Sequence, residues 1–210
     1  MSLSSALKDA LCTEDLWTLM RRRVPPIVAE YFVGGADEET TLRGNVKAFQ
    51  QTVLNVSGAT RLTQLDTTTT VLDHELAVPW YLSPVGSLRT LHPKGDAVAA
   101  RVAGNFGTVM GLSTLSGTPM EEVAQASSKP CWFQLYLCGG RETALRGISR
   151  AKDAGFSALV LTIDTGVSGQ RRVHERMKPL QVMHPWEGLT GQERLRWISR
   201  RLQLIPQMST

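Results

Sequence analysis

The apolar positions of this chain change period along its length. Cys131 to Leu137 and Ala158 to Ile163 are short apolar runs, aromatic in the first and branched in the second. Neither alternates cleanly, which is the pattern of strands buried on both faces. Between them Ala144, Leu145, Ile148, Ala151 and Ala154 recur at helical spacing, with Arg and Lys on the other face and Gly155 as a left-handed stop. The stretch predicts strand, helix and parallel strand, one βαβ unit. Upstream, Trp80 to Ser83 starts the same alternation, followed by a helix over Asp96–Asn105, a strand over Thr108–Ser113 and a helix over Pro119–Ala126. Thr118, Pro119 and Glu121 read as a capping box with proline at the first helical position.

Strand starts near residues 79, 108, 131 and 158 are about 25 residues apart, the spacing of consecutive βα units in a TIM barrel. The fold class is therefore α/β, of TIM (β/α)8-barrel type, with a doubly wound sheet as the alternative. Ahead of these units the periodicity predicts a helical cover. Residues 3 to 22 carry the stripe Leu3, Leu7, Leu11, Leu16 and Leu19, interrupted near Thr13. Pro25 and Pro26 allow a second helix through Ile27, Tyr31 and Phe32 that ends at Gly34 and Gly35. Asp37 to Thr41 can cap a third, carrying Leu42, Val46 and Phe49. Residues 66 to 78 place β-branched residues on either side of an Asp-His turn, a hairpin expected to close the bottom of the barrel. The chain has no GxGxxG, no P-loop and no sequence repeat beyond the architectural one.

The polar residues of the βαβ unit carry the chemistry. Gln134 and Tyr136 are two apart and leave one face of their strand, where an amide and a phenol need partners. The next strand ends in Thr162 and Asp164, again two apart, and runs into a glycine-containing loop with Arg171 and Arg172. In parallel α/β folds ligand groups gather at the carboxyl ends of strands. Spacing alone equally allows these groups to satisfy one another and to cap nearby helices. Tyr31, by spacing alone, is an ordinary packed aromatic.

Composition narrows the field. The 210 residues are 42% hydrophobic and 20% charged, ordinary for a globular protein and long enough for a sizeable core, although a whole barrel needs more chain. A formal charge of +4 and a pI near 9.2 suit an anionic cofactor or substrate. A membrane surface stays open, and nucleic acid lacks any motif or aromatic interleaving. Cys12, Cys131 and Cys138 form no CxxC pair and suggest neither a disulfide framework nor a metal site, which points to a reducing compartment. With no signal pattern and no apolar run near the roughly 20 residues of a membrane span, the expected location is cytoplasmic. Near the end, Leu195, Ile198, Leu202 and Ile205 with four arginines form a basic amphipathic helix, read as packing on the barrel or contacting a membrane.

Several of these stretches together resemble the FMN-dependent 2-hydroxy acid dehydrogenase and oxidase family, which includes glycolate oxidase, lactate oxidase, flavocytochrome-type lactate dehydrogenase and mandelate dehydrogenase. They are WFQLY (Trp132 to Tyr136), RAKDAGFSALVLTIDT (Arg150 to Thr165), the GQRR loop (Gly169 to Arg172), YFVGGADEETTLRGN (Tyr31 to Asn45), LSPVGSLRTLHPKGD (Leu82 to Asp96) and LSTLSGTPMEEVA (Leu112 to Ala124). The match runs collinearly from about residue 10 to residue 178 and fades after Lys178. It implies FMN as cofactor and a small 2-hydroxy acid as substrate. By the same resemblance, Pro84, Val85 and Gly86 line the flavin, while Ser113, Gln134 and Thr162 hydrogen-bond its ring. Tyr31, Tyr136 and Arg171 hold the substrate, and Asp164 is the aspartate that supports a histidine base. Gly166 stands in place of the usual proline, and the loop reads GQRR where relatives read GRRE.

The resemblance places the base itself, a flavin-side lysine, a second arginine and the phosphate cradle on later strands, outside these 210 residues. His74, His92, His174 and His184 match none of them. The expected division is a cover over 1–64, the first half of an FMN-binding barrel over 65–178 and an excursion over 179–210. On this reading the barrel is truncated after about four units. The chain is then an FMN-dependent oxidoreductase by lineage, with an inactive half-barrel that binds or assembles, homo-oligomers included, as the alternative.

Overall fold

The computed structural model describes residues 7–55, 58, 64–164 and 169–172. These fall into two compact units, one formed by the residues up to Gly58 with 169–172, the other by residues 64–164. The amphipathic segment at 195–205, His174 and His184 lie outside the described residues, as does Gly166.

In the first unit the helices are α1 (Thr13–Arg21), α2 (Pro26–Val33) and α3 (Thr40–Gln51). The expected single helix through residue 22 is interrupted before Thr13. There the Asp15 carboxylate accepts hydrogen bonds from the backbone N–H groups of Leu11 (2.9 Å) and Cys12 (3.2 Å) and so starts a new helix. Proline opens α2, which buries Ile27, Val28 and Ala29. The Asp37–Thr41 segment does not cap α3 through a side chain. Instead Glu39, itself left-handed, accepts from the Gly35 N–H at 3.0 Å and closes the turn. Within this unit the stripe Leu42, Val46 and Phe49 on α3 is exposed.

The second unit begins with a hairpin of β1 (Thr69–Val71) and β2 (His74–Leu76), antiparallel with Val71 opposite His74. The turn is Leu72–Asp73, both with positive φ, and so falls one residue before the expected Asp-His pair. His74 is already committed to the closing strand pair, which leaves the two residues before it to make the primed turn that strand twist favours. Leu76 is buried against Val109 and Trp132, at the amino-terminal ends of the strands that follow.

Those strands are β3 (Gly111–Ser113), β4 (Trp132–Tyr136) and β5 (Ala158–Thr162), parallel and in sequence order, with α4 (Gly95–Asn105), α5 (Met120–Ala126) and α6 (Gly140–Asp153) in the crossovers. The expected strand at Trp80–Ser83 contracts to a single parallel bridge between Leu82 and Met110. Gly111 permits that approach, since a Cβ there would lie 3.0 Å from Pro84 Cδ. The outward residues Leu112, Phe133 and Leu135 join Ala100, Ala103, Val123, Ala144 and Ala151 of the helices in one core. Gly155, at φ +85°, ends α6 as its sequence position predicts. The described strands form an open sheet, and the architecture is α/β.

Burial corrects the reading of β5. β4 is covered on both faces, but Leu159 and Leu161 are 45% and 50% exposed, against 3% and 4% for their register partners Phe133 and Leu135. Among the described residues β5 is the sheet edge, and no helix lies over its outward side. Among them, too, no helix is long and apolar enough to cross a membrane.

The capping box at α5 is also corrected. Pro119 takes the cap position, and Thr118 turns away to hydrogen-bond Asp96 on α4. Glu121 instead forms a bidentate ion pair with Arg150 of α6, both contacts 2.6 Å, and that hydrogen bonding lowers its pKa. Asp96 is fully buried, its Oδ2 accepting from Ser116 Oγ (2.7 Å) and Thr118 Oγ1 (3.1 Å), while Oδ1 has no partner. Burial raises its pKa above the ordinary 3.8. The folded chain therefore holds this proton more tightly than the unfolded one. Stability should fall as pH rises from about 3.8 through the raised value, and then level off. Asp96→Asn should abolish that fall in urea midpoints measured from acid to neutral pH, and an unchanged slope would show that the carboxylate ionises at no cost.

Candidate active site

The carboxyl ends of β3, β4 and β5 bring one polar cluster together. Ser113 and Gln134 are register partners, and so are Tyr136 and Thr162, which puts all four on the sheet face opposite the helices. Gln134, only 3% exposed, accepts a hydrogen bond through Oε1 from the Thr114 N–H (3.2 Å) and donates through Nε2 to Thr162 Oγ1 (2.9 Å). Thr114 Oγ1 donates to the Gln134 carbonyl (2.5 Å) and accepts from the Tyr136 N–H (3.1 Å). Ser113 Oγ accepts from the Leu115 N–H at 3.1 Å. The groups thus do satisfy one another, as spacing allowed. Donor capacity is left over beyond these bonds: one N–H of Gln134 and the hydroxyl protons of Thr162 and Ser113.

The segment Pro84–Gly86 lies across the end of β3. Ser87 N–H donates to the Leu115 carbonyl at 3.1 Å. A Cβ on Gly86 would stand 3.2 Å from Leu115 Cβ and 3.8 Å from Ser113 Oγ, so glycine keeps this backbone close to the cluster. Pro84, Val85, Gly86, Ser113, Gln134 and Thr162, the residues expected to hold a flavin ring, are therefore gathered at one end of one sheet. The chemistry of the set fits that group: hydroxyl and amide donors beside a bare stretch of backbone suit a flat heterocycle rich in acceptors. Tyr136 is half-buried beside them, and Asp164 is exposed two residues past Thr162.

The first unit holds the other predicted pair. Arg171 places its guanidinium 5.2 Å from the centroid of the Tyr31 ring and donates to the Tyr31 backbone carbonyl. Arg172 forms ion pairs with Asp37 (3.5 Å) and Glu38, and Asp37 N–H donates to the Gln170 carbonyl at 2.8 Å. A cationic fork beside a tyrosine can hold a carboxylate.

His74 sits in the hairpin, and His92 accepts from the Lys94 N–H at 3.1 Å in a turn. Sequence reasoning missed Thr114, Asp96 and the ion pairs of Arg172. The one local signal was the hydroxyl run Ser113–Thr114 at a strand end.

Comparison with known proteins identifies the family. The sequence model of the FMN-dependent dehydrogenase family matches residues 20–203. The L-lactate dehydrogenase of Allorhizobium ampelinum is 41% identical over 156 residues, covering 72% of this chain and 40% of that protein. Among solved structures, a mandelate oxidase with 3,3-difluoro-2-hydroxy-3-phenylpropionic acid is similar at a TM-score of 0.74 and 30% identity, over 78% of this chain and 49% of that one. A soluble mutant of the membrane-associated (S)-mandelate dehydrogenase from Pseudomonas putida gives 0.73 and 32%, over 84% and 52%. The chain spans 40% to 52% of the length of these proteins. With the polar strand ends where a flavin ring is expected and a family match along most of its length, this chain belongs to the FMN-dependent dehydrogenase family.

Proposed function

We propose that this chain supplies the flavin-ring face and a carboxylate anchor of a site that oxidises a small (S)-2-hydroxy acid to the 2-oxo acid. FMN, when bound, takes up the electron pair from the substrate's carbinol carbon. The observation that carries the reading is the hydrogen-bonded set Thr114–Gln134–Thr162 at adjacent strand ends, on a collinear family match. In this reading Leu82 and β3 to β5 mark the first four units of a (β/α)8 barrel, the cover runs to residue 64 and the barrel begins at 65. Pro84 to Gly86 present backbone to the ring, and Ser113, Gln134 and Thr162 donate to it. Tyr31, Tyr136 and Arg171 hold the substrate's carboxylate and hydroxyl, and Asp164 orients the imidazole of the base.

The test is binding of FMN, read by quenching of its fluorescence. Gln134→Leu removes the central amide and strands the Thr114 N–H, so affinity should fall about tenfold or more, as expected for lost buried hydrogen bonds. Equal affinity of the two proteins would overturn the proposal.

A further inference from the structure

The geometry points to Thr114 as the positioning residue that fixes the amide of Gln134, oxygen toward β3 and nitrogen toward β5, so that Gln134 and Thr162 together present hydrogen-bond donors to the ring. This rests on the flavin reading above. Ser113, the last residue of β3, is the register partner of Gln134. Just past that strand end the Thr114 hydroxyl spans two main-chain groups of β4, donating to the Gln134 carbonyl (2.5 Å) and accepting from the Tyr136 N–H (3.1 Å). A side chain thus ties the loop after β3 to the neighbouring strand.

The Thr114 N–H donates to Gln134 Oε1 at 3.2 Å. A backbone N–H can only donate, so the atom facing it must be the amide oxygen. The nitrogen then faces Thr162 and must donate to its Oγ1, 2.9 Å away. Thr162 accepts there, and its own proton is directed elsewhere. Polarity passes in one direction from Thr114 through Gln134 to Thr162, and a ligand meeting the pair encounters N–H and O–H groups. The acceptor atoms of a flavin ring match that polarity.

Thr114→Val keeps the shape and removes the hydroxyl. The Gln134 carbonyl and the Tyr136 N–H then lose the hydroxyl they share, the loop that carries the Thr114 N–H is no longer tied to β4, and the amide loses its fixed orientation. In the protein without FMN, the side-chain NH2 resonances of Gln134 should shift and broaden in Thr114→Val and return in Thr114→Ser. FMN affinity should fall about tenfold in the first and by less than about threefold in the second, the scale of one hydrogen bond. Unchanged Gln134 resonances in a folded Thr114→Val protein would overturn the inference. Should that variant fail to fold, hydrogen exchange in Gln134→Leu gives the answer from the other side: protection should be lost at the Thr114 N–H and kept at the Tyr136 N–H. Unchanged protection of Thr114 would likewise overturn it. Released resonances in Thr114→Val, with equal FMN affinity of Gln134→Leu and the unsubstituted chain, would uphold the positioning of Gln134 and sink the flavin reading.

Discussion

Anaerobic incubation with (S)-lactate, glycolate or (S)-mandelate should leave FMN added to residues 1–210 in its oxidised, yellow form. Removing a proton from carbon in the transition state needs a base within hydrogen-bond reach, and such a base contributes about 10² to 10⁴ in rate. In the proposed site Asp164 stands behind an imidazole rather than against the substrate. Neither described histidine supplies that imidazole. His74 belongs to the hairpin whose Leu76 packs on Trp132 at the amino-terminal side of the sheet, the end opposite Gln134, and His92 is spent on the Lys94 N–H. Loss of the visible flavin band with any of the three acids would show that a base lies within these residues. His174 and His184 would then be the ones to replace.

Phe133→Ala should cost the second unit about 3–5 kcal/mol, the usual range for emptying a fully packed aromatic site and a large share of the roughly 5–15 kcal/mol that hold a domain together. Phe133 is buried in the middle strand and meets Phe156 edge-on, with ring centroids 6.3 Å apart. A Cβ on Gly147 of α6 would lie 3.7 Å from its Cε1, so helix and ring are already in contact. Leu161→Ala is the control: its side chain is half exposed, and the loss should stay below about 1.5 kcal/mol because little area leaves water there. Urea unfolding of both variants decides the matter. Equal losses would mean that the outward face of β4 is not the core of the unit.

Much of the candidate site could be read from residue order because it depends on the two-residue period of strands. Gln134 and Tyr136 share a face whatever lies around them, and Thr162 follows from the same rule on the next strand. What that period could not show was how the polar atoms pair. The bond from Gln134 to Thr162 spans two strands, and the anchor for the amide came from Thr114, whose hydroxyl had no reason in the sequence to leave its own turn. The pairing of Arg171 with Tyr31 joins residues 140 positions apart, and only the resemblance connected them.

By itself the sequence determined the parts whose causes are local. These are the helices whose apolar residues recur at helical spacing, the proline start of α2, the glycine end of α6 and the central strand, whose run of large apolar residues does not alternate cleanly and so calls for cover on both faces. Tertiary structure decided whatever depends on a neighbour from elsewhere in the chain. β5 has as apolar a sequence as β4, yet among the described residues it lies at the edge, because strand order, not composition, sets which strand is flanked. Thr118 had the sequence of a helix cap, but the buried carboxylate of Asp96, 22 residues earlier, claimed its hydroxyl. An unpaired buried charge costs more than an uncapped turn that water can reach, so the longer-range bond prevails.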